Sequence, residues 1–411
     1  MNELESSPDG SCRVRTADPT GESQFNDRSI AKVVSSMSDV VILGGGVIGL
    51  SLAYDLARHG LRPYVVERGE VGQEASWAGA GIIPASKQVA RDQPYDQLAG
   101  LSSALHPEWS AQLHEATGID NGYRPCGGIY LARDPETWHA LEMAADDWYG
   151  RKLQVNKLDA NSLSELEPTL ACSLRATGWP QRVLAAYHLP DEAQVRNPWH
   201  VKALLRACEQ LGVTISLQCE VIGFEVSGGR MTGVRTQQGL ISAESFIVCA
   251  GAWTRRLLET MGISVRVKPI LGQIVLFRGE QVILQRVIND GPRYLVPRDD
   301  GRVLVGSTEE DVGFEKRTTE SGIDGLKKFC REICPAVADL PIEKTWSGLR
   351  PATTDGLPYL GPVPGLSNAF VAAGHYRSGL HLSPGTAVVM SQLIRGEQTL
   401  VDLTPFRVGR G

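Results

Sequence analysis

The sequence predicts an α/β protein in two parts: a domain on a parallel sheet whose segments are separated along the chain, and an inserted α+β domain built on a mostly antiparallel sheet. Residues 39–68 give the first observation, a strand, a glycine-rich turn, a helix and a second strand in succession. Alternating strands separated by turn residues dominate residues 267–307. A buried strand, a glycine turn and a helix then follow at residues 368–395, so the two ends of the chain are predicted to share one domain.

Length, charge and cysteine usage narrow the class of protein. A chain of 411 residues is longer than one hydrophobic core usually supports, which favours two domains. The net charge of −6, without a long basic run, argues against nucleic acid or an anionic membrane as the main partner. The uncharged residues 40–54 fall short of the roughly 20 residues that a transmembrane segment needs, so none is predicted. Eight scattered cysteines suit reduced thiols and a cytoplasmic location.

The first 36 residues differ from the rest of the chain. They are polar, mixed in charge and poor in aromatic residues, and they contain no apolar core like that of a signal peptide. Residues 1–36 are therefore predicted to form a disordered N-terminal tail.

The glycine-rich turn of the first segment has a pattern typical of dinucleotide binding. Gly44, Gly46 and Gly49 follow a buried strand predicted at 40–43 and open a helix predicted from about Val47. Gly44 permits a tight turn, Gly46 lets the backbone approach a pyrophosphate, and Gly49 lets helix and strand pack closely. The free N–H groups and the positive end of the helix dipole would face the phosphates. This segment predicts a Rossmann-like nucleotide-binding unit.

An acidic residue supports the same interpretation. Glu67 ends the second strand, eighteen residues beyond Gly49, close to the spacing of about 20 at which a carboxylate accepts hydrogen bonds from a ribose. A carboxylate there disfavours a 2′-phosphate, and therefore NADP. The glycine pattern alone could be an ordinary turn, but strand, helix and acid together favour nucleotide binding.

Hydrophobic period and turn residues place the other elements. The small, apolar loop at 72–85 suits close approach of the backbone to a ligand. Gly228 and Gly229 mark a hairpin. Helices are predicted at about 96–117, 135–149, 195–212, 322–334 and 383–395, and strands at 127–132, 246–253 and 368–374.

Two cysteines lie one helical turn apart. Cys330 and Cys334 could form a metal or redox pair, but the sequence offers neither a second pair nor a histidine nearby. Burial in the core is the favoured interpretation, and no metal is predicted.

Several motifs occur together in the order and spacing of one known family. They are GGGVIG, ER, ASWAGAGII, CAGAW, YLVPR, GSTEED, GLRPATTDGLPYLGP and AAGHYRSG. With these motifs the chain resembles the D-amino-acid oxidase family of FAD enzymes from residue 37 to the end. The most specific portions, GLRPATTDG and GHYRSGLHLSP, are most similar to the branch that oxidises glycine in thiamine thiazole synthesis.

The resemblance implies a cofactor and domain boundaries. FAD would be held noncovalently, because relatives that attach the flavin use a cysteine in the late region and none follows Cys334 here. The FAD-binding domain would comprise residues 37–118, 167–262 and 347–405, and the substrate-binding domain residues 119–166 and 263–346.

The family's flavin contacts carry over onto matching positions. Glu67 would bind the ribose, Arg68 would lie beside the adenosine, and Val221 would offer backbone bonds to adenine. Residues 375–381 would wrap the pyrimidine end of the isoalloxazine, where the dipole of the last helix favours negative charge on the reduced flavin. The implied cofactor-binding residues are Gly44, Gly46, Val47, Ile48, Gly49, Glu67, Arg68, Ala75, Ser76, Ala80, Gly81, Ile82, Val221, Ala250, Gly251, Gly374, His375, Tyr376, Arg377, Ser378, Gly379, Leu380 and His381.

Three residues are implied at the substrate. Arg350 would clamp the substrate carboxylate, since a planar guanidinium binds a carboxylate bidentately. Tyr294 matches a tyrosine that hydrogen-bonds the same carboxylate, and Arg377 would lie near the mouth of the site. Arg350 could instead be a structural arginine before a proline turn, and Tyr294 a packing aromatic of the sheet. His375 and His381 are expected to pack or to contribute backbone atoms.

The implied function is oxidation of glycine or another small amine or D-amino acid. The imine would hydrolyse to glyoxylate and ammonia, and O2 would be reduced to peroxide. One alternative is a D-amino-acid dehydrogenase, or a subunit like that of hydrogen cyanide synthase, which passes electrons to a quinone or a partner. Another is a non-catalytic flavoprotein subunit of a complex. A homo-oligomer, dimer or tetramer, is compatible with the resemblance.

Overall fold

The computed structural model describes residues 13–17, 23–26, 38–88, 93–177 and 183–410. The helices are α1 (Val47–Arg58), α2 (Ala75–Ala78), α3 (Pro94–Thr117), α4 (Pro135–Gly150), α5 (Ala160–Leu166), α6 (Pro168–Thr177), α7 (Asn197–Gln210), α8 (Thr254–Glu259), α9 (Glu320–Ile333), α10 (Pro335–Ala338) and α11 (Gly379–Ile394), with 3-10 turns at Gly251–Trp253, Tyr376–Ser378 and Thr404–Phe406. None of the helices in these ranges is both long and apolar enough to cross a membrane.

The strands follow in chain order. They are β1 (Arg13–Ala17), β2 (Ser23–Asn26), β3 (Ser38–Leu43), β4 (Pro63–Val66), β5 (Ile82–Ile83), β6 (Arg124–Pro125), β7 (Gly128–Ala132), β8 (Asn156–Lys157), β9 (Ala185–Leu189), β10 (Ala193–Gln194), β11 (Thr214–Leu217), β12 (Val221–Ser227), β13 (Arg230–Thr236), β14 (Gly239–Ile241), β15 (Ala243–Val248), β16 (Val267–Arg278), β17 (Val287–Asp290), β18 (Arg293–Pro297), β19 (Arg302–Gly306), β20 (Ile342–Thr353), β21 (Tyr359–Pro362) and β22 (Ala369–Ala373).

The first large sheet is mainly parallel. Its strand order is β2-β1-β11-β4-β3-β15-β22-β21, and the five strands from β11 to β22 run parallel. Residues 40–43 of β3 are fully buried, as an apolar strand covered on both faces should be. Helices α1, α7 and α11 contribute to the core on one face through Leu50, Leu204 and Val389. The predicted Rossmann-like unit is therefore present, with strands from both ends of the chain.

The second large sheet is mostly antiparallel. Its order is β20-β16-β19-β18-β17-β7-β9-β8, and only the β17–β7 pair is parallel. One face packs against α9, where Val275 and Leu295 of the sheet share a core with Phe329. Cys330 and Cys334 are fully buried in this core, as the favoured interpretation expected. The opposite face is left for the cavity described below.

The predicted domain boundaries differ from the structure at two places. The boundary between residues 346 and 347 cuts through β20, which pairs with β16 in the second sheet along its length. Residues 167–262 were assigned to the nucleotide-binding domain, but β9 pairs with β7 in the second sheet. Helix α6 also packs its Leu170 and Leu174 into the core of that sheet. Residues 168–189 therefore belong with the substrate-side sheet, because a strand is assigned by its partners and sequence shows no partners.

The predicted tail also contains structure. β1 pairs antiparallel with β11 at the edge of the first sheet, and β2 pairs with β1. In these two stretches the structure differs from the predicted disorder. The other residues of 1–36 lie outside the described residues.

One helix near the C-terminus extends further than predicted, and a strand there was not predicted. α11 begins at Gly379 rather than at Ser383, because Leu380 and Leu382 are buried and packing continues the helix ahead of Pro384. β20 runs through Pro351. A proline fits there because β20 is an edge strand, where a missing backbone donor costs no ladder bond.

Candidate active site

A cavity of about 720 Å³ lies between the two sheets. Its first wall is formed by the carboxyl ends of β3, β4, β15 and β22, and its second by the inner face of the antiparallel sheet. Ligands bind at the carboxyl ends of strands in open α/β sheets, so the position is the expected one.

The glycine turn forms one end of the cavity. Gly44 has φ +117, and a Cβ there would lie 2.5 Å from the carbonyl oxygen of Cys249. A Cβ at Gly49 would lie 2.0 Å from the carbonyl oxygen of Gly44, so this glycine sets the close contact between helix and strand. Gly46 precedes α1 and provides no side-chain cap, while Ser76 Oγ accepts a hydrogen bond from the Val47 N–H at 2.9 Å. The first turn of α1 thus faces the cavity as an anion-binding helix terminus.

Glu67 lies beside this turn. Its carboxylate accepts hydrogen bonds from the N–H groups of Gly45 at 2.8 Å and Gly69 at 2.9 Å. Burial raises its pKa, although both hydrogen bonds act in the opposite direction. The carboxylate is therefore fixed in orientation at the cavity wall, where the sequence placed a ribose ligand.

An aromatic and a cation extend the same end of the cavity. The Arg68 guanidinium carbon lies 3.7 Å from the centroid of the Trp253 ring, a cation–π contact. Both residues line the cavity together with Val221, Ala250 and Gly251. Trp253 was not predicted as a site residue.

The loop of residues 75–82 crosses the middle of the cavity. Gly81 has φ +78, and a Cβ there would lie 2.0 Å from the Val195 carbonyl oxygen. Asn197 donates from Nδ2 to the carbonyl oxygen of Ser76 at 2.9 Å. Its Oδ1 is buried and has no partner among the described residues. Asn197 lines the cavity, so this oxygen is an acceptor that a ligand can satisfy.

Residues 374–381 form the wall opposite that loop. Gly374 has φ +84, and the 3-10 turn Tyr376–Ser378 leads directly into α11. Because α11 begins four residues earlier than predicted, its positive end reaches the cavity at Gly379.

The two histidines of this wall are neutral packing groups. Burial lowers the pKa of His375 to about 3, and its Nε2 lies 3.1 Å from Thr386 Oγ1. Burial, with the nearby His106, lowers the pKa of His381 to about 3, and its Nε2 lies 2.8 Å from Ser103 Oγ. Neither ring can carry a proton near neutral pH.

The second sheet presents a row of side chains to the cavity. Tyr130 pairs with Asn289, Asn289 with Tyr294, and Tyr294 with Gly306 on successive strands. Paired residues point to the same face, and all three side chains line the cavity. A Cβ at Gly306 would lie 2.7 Å from the Tyr294 hydroxyl, so this glycine makes room for the ring.

Arg350 reaches the same place from the edge strand. Its Nη1 donates to the Thr308 carbonyl oxygen at 3.0 Å and its Nη2 to Ser307 Oγ at 2.5 Å. A Cβ at Gly272 would lie 2.2 Å from Nη2, so the guanidinium rests on a glycine. These bonds use two of the five guanidinium donors and leave others for a carboxylate beside Tyr294.

Arg377 closes one side of the cavity. Its Nη1 pairs with Glu309 at 3.0 Å and its Nη2 donates to the Pro292 carbonyl oxygen at 2.8 Å. The pair is partly exposed. Arg377 therefore bridges the C-terminal loop and the second sheet.

A buried carboxyl group lies behind the row of side chains that the second sheet presents to the cavity. Glu192 is completely buried; its Oε2 accepts from the Tyr130 hydroxyl at 2.5 Å, and its Oε1 accepts from Asn289 Nδ2 at 3.1 Å. Burial raises the pKa of Glu192 to about 7, against the effect of both hydrogen bonds. A Cβ at Gly128 would lie 2.2 Å from Oε1, so a glycine makes space for the carboxyl group.

The structure brings together nearly all the predicted site residues. Each lines the cavity except Gly49, which lies beneath the glycine turn. Sequence reasoning missed Tyr130, Glu192, Asn197, Trp253 and Asn289. Gly128, which meets Glu192, and Gly81, which meets Asn197, are local signals for two of them, and they show that space is needed without showing what fills it.

Comparison with known proteins identifies the family. The DAO family, described as FAD dependent oxidoreductase, matches residues 39–393. The chain belongs to this family. It is 34% identical over 368 residues to the glycine oxidase of Pseudomonas putida KT2440, covering 89% of this chain and 97% of the relative. The crystal structure of glycine oxidase from Geobacillus kaustophilus superposes with a TM-score of 0.85 at 33% identity, covering 92% of this chain and all of that one. The chain is also 32% identical to the hydrogen cyanide synthase subunit HcnC of Pseudomonas aeruginosa, covering 90% of this chain and 96% of the relative.

The family membership confirms the predicted fold class, the enzyme class and FAD as cofactor. The groups that line the cavity also fit this cofactor, independently of the family membership. A helix terminus, a fixed carboxylate, glycines whose Cβ atoms would clash and the orphaned Asn197 Oδ1 lie along one continuous wall. A helix terminus suits a pyrophosphate and a fixed carboxylate suits a ribose, and FAD contains both.

Proposed function

We propose that this FAD-dependent enzyme oxidises glycine, and other small amines or D-amino acids, to the imine. The imine formed from glycine then hydrolyses to glyoxylate and ammonia. The observation that carries the proposal is that Arg350 bonds to Ser307 while Tyr294 packs on the adjacent Gly306, and both side chains line the cavity. Two glycine oxidases among the relatives support the choice of substrate.

Different segments of the cavity wall would bind different parts of the cofactor. The first turn of α1 and the loop of residues 75–82 would hold the pyrophosphate, Glu67 the ribose, and residues 374–381 the flavin, noncovalently. Bound FAD would accept a hydride from the substrate Cα. Those walls exclude water from the carbon that reacts.

Arg350 and Tyr294 orient the substrate. Two guanidinium bonds to Ser307 and Thr308 hold Arg350 in place, so little entropy is lost when a carboxylate binds. The Tyr294 ring is fixed over Gly306 and offers its hydroxyl to the same carboxylate. His375 and His381, both neutral, are unsuited to the role of base, and none is needed if the amine binds unprotonated.

We further propose that O2 reoxidises the cofactor to give peroxide, and that the product serves thiamine thiazole synthesis. The HcnC relative supports a second candidate, in which the electrons pass to a quinone or a partner subunit. The polar row at Arg350 argues against a non-catalytic subunit, because a chain without substrate needs no such clamp.

Steady-state assays decide between these functions. Glycine, sarcosine and D-alanine are offered in turn, and oxygen uptake, peroxide and dye reduction are recorded together. Equal rates of glycine loss and peroxide formation are expected. Dye reduction with little peroxide would favour the dehydrogenase, and no turnover of any of the three amines would contradict the proposal.

A further inference from the structure

The Tyr130–Glu192–Asn289 cluster is a buried acid without a cation. Among the residues that the structure describes, no Lys, Arg or His pairs with Glu192, whose hydrogen-bond partners are Tyr130 and Asn289. A buried carboxylate without a counter-charge is costly, and proteins normally pair it. The cavity borders this group, since Tyr130 and Asn289 form part of its wall, so a ligand in the cavity can offer N–H donors to it.

The hydrogen bonds fix which atoms face the cavity. Tyr130 donates its hydroxyl hydrogen to Glu192, so the lone pairs of its oxygen remain for a ligand. Asn289 donates from Nδ2 to the same carboxylate, so its Oδ1 also remains as an acceptor. Burial and the adjacent Glu192 raise the pKa of Tyr130 well above its ordinary value, which keeps the hydroxyl protonated. Both wall residues therefore present acceptors, which suit an N–H donor.

The cluster lies next to the carboxylate clamp. Asn289 is the direct cross-strand neighbour of Tyr294, and Tyr130 is the neighbour of Asn289 on the next strand. Neighbouring strands are about 4.8 Å apart, so the acceptors of Asn289 and Tyr130 lie one and two strand spacings from Tyr294 on the same face of the sheet. An α-amino acid carries its carboxylate and its amine on one carbon, in the same order as the donors and acceptors of this row.

We propose that Tyr130 and Asn289, held and polarised by Glu192, bind the amine of the substrate, while Arg350 and Tyr294 bind its carboxylate. The proposal rests on the amine-oxidising function proposed above. Tyr130 and Asn289 would touch the substrate, and Glu192 would be a positioning residue that acts through them. The Tyr130 ring packs at 4.9 Å, between centroids, against Trp148, so its position is set by the protein and not by the ligand.

Two ligands, glycine and acetate, test the amine and carboxylate halves of the site separately. Glycine carries carboxylate and amine, whereas acetate carries the carboxylate alone and is tested as a competitive inhibitor. Glu192→Gln, Tyr130→Phe and Asn289→Ala are each expected to raise the KM for glycine about tenfold and to leave the inhibition constant of acetate within about twofold. Arg350→Ala is the matched contrast, since it should weaken both ligands. Flavin content and melting temperature identify any variant that fails to fold.

The outcomes are distinct. An increase confined to glycine in the folded variants supports the amine subsite. Equal effects on glycine and acetate, or no effect on glycine in any of them, would overturn it. If the wild-type protein oxidises no amine and acetate does not bind, the proposed function itself fails, whatever the variants show.

Discussion

The two ends of the cavity are built in different ways. At the nucleotide end, main-chain groups and glycines from short continuous stretches form most of the wall, as at residues 44–49 and 75–82. At the substrate end, side chains from β7, β17, β18 and β20 meet through strand register, and one acid lies behind them. The residues of the nucleotide end are close together in the sequence. The residues of the substrate end are brought together by strand pairing and span more than 200 positions, from Tyr130 to Arg350.

The largest effect is expected from a substitution that disrupts the nucleotide end alone. Gly46→Val should give folded protein without flavin, because the new side chain occupies the approach to the first turn of α1 while its Cβ meets only Ser76 Oγ, at 3.2 Å. The ratio of flavin to protein absorbance and the circular dichroism spectrum measure the two properties. Gly325→Val is the control, since a Cβ there meets no atom within 4 Å. Retained flavin in the Gly46 variant would contradict the assignment of this turn.

A second substitution breaks the substrate end and leaves the nucleotide end intact. Gly272→Ala places a methyl group where Arg350 Nη2 now lies, so the guanidinium must move. We expect kcat/KM for glycine to fall about 100-fold, the cost of a charged hydrogen-bond pair, with flavin content unchanged. Gly223→Ala, in β12, is the control because its nearest atom would be 4.0 Å away. Unchanged kinetics would show that the position of Arg350 does not matter.

The pH dependence of stability tests the acid behind the row. The pKa of Glu192 is about 7 in the folded protein against 4.5 for the free side chain, so between these values the folded state holds a proton that the unfolded state has lost. Stability contributed by this group therefore falls as pH rises through that window, by about 2 kcal/mol between about pH 5 and pH 7.5. Denaturant unfolding of Glu192→Gln should lack this loss, and the control Glu225→Gln, at a half-exposed position in β12, should keep it. Parallel pH profiles for wild type and Glu192→Gln would mean that the carboxyl group is not perturbed.

The smallest effect is expected far from both ends. Deletion of residues 1–36 removes β1 and β2, which pair at the outer edge of the first sheet and line no part of the cavity. Activity and flavin content should be unchanged, and the melting temperature should shift by less than about 4 °C. A larger fall in melting temperature, measured by calorimetry, would show that the edge strands stabilise the domain.

The same contrast explains how far sequence reasoning could go. The Rossmann-like unit was predictable because each glycine has one local physical reason, and Gly44 and Gly49 show those reasons in the structure. Arg350 and Tyr294 came from the family resemblance, since nothing local distinguishes them from other arginines and tyrosines of strands. Glu192 could not be predicted, because its meaning depends on Tyr130 and Asn289, which lie 62 and 97 positions away along the chain. The placement of β9 failed for the same reason.

The most direct test of the whole account is anaerobic mixing of the purified protein with glycine while the flavin absorbance is followed. The wild-type protein should be yellow and should bleach, and Arg350→Ala, equally yellow, should need at least about 100-fold more glycine for the same rate. Bleaching of both proteins at the same glycine concentration, or of neither, would contradict the claim that FAD and the Arg350 clamp meet in this cavity.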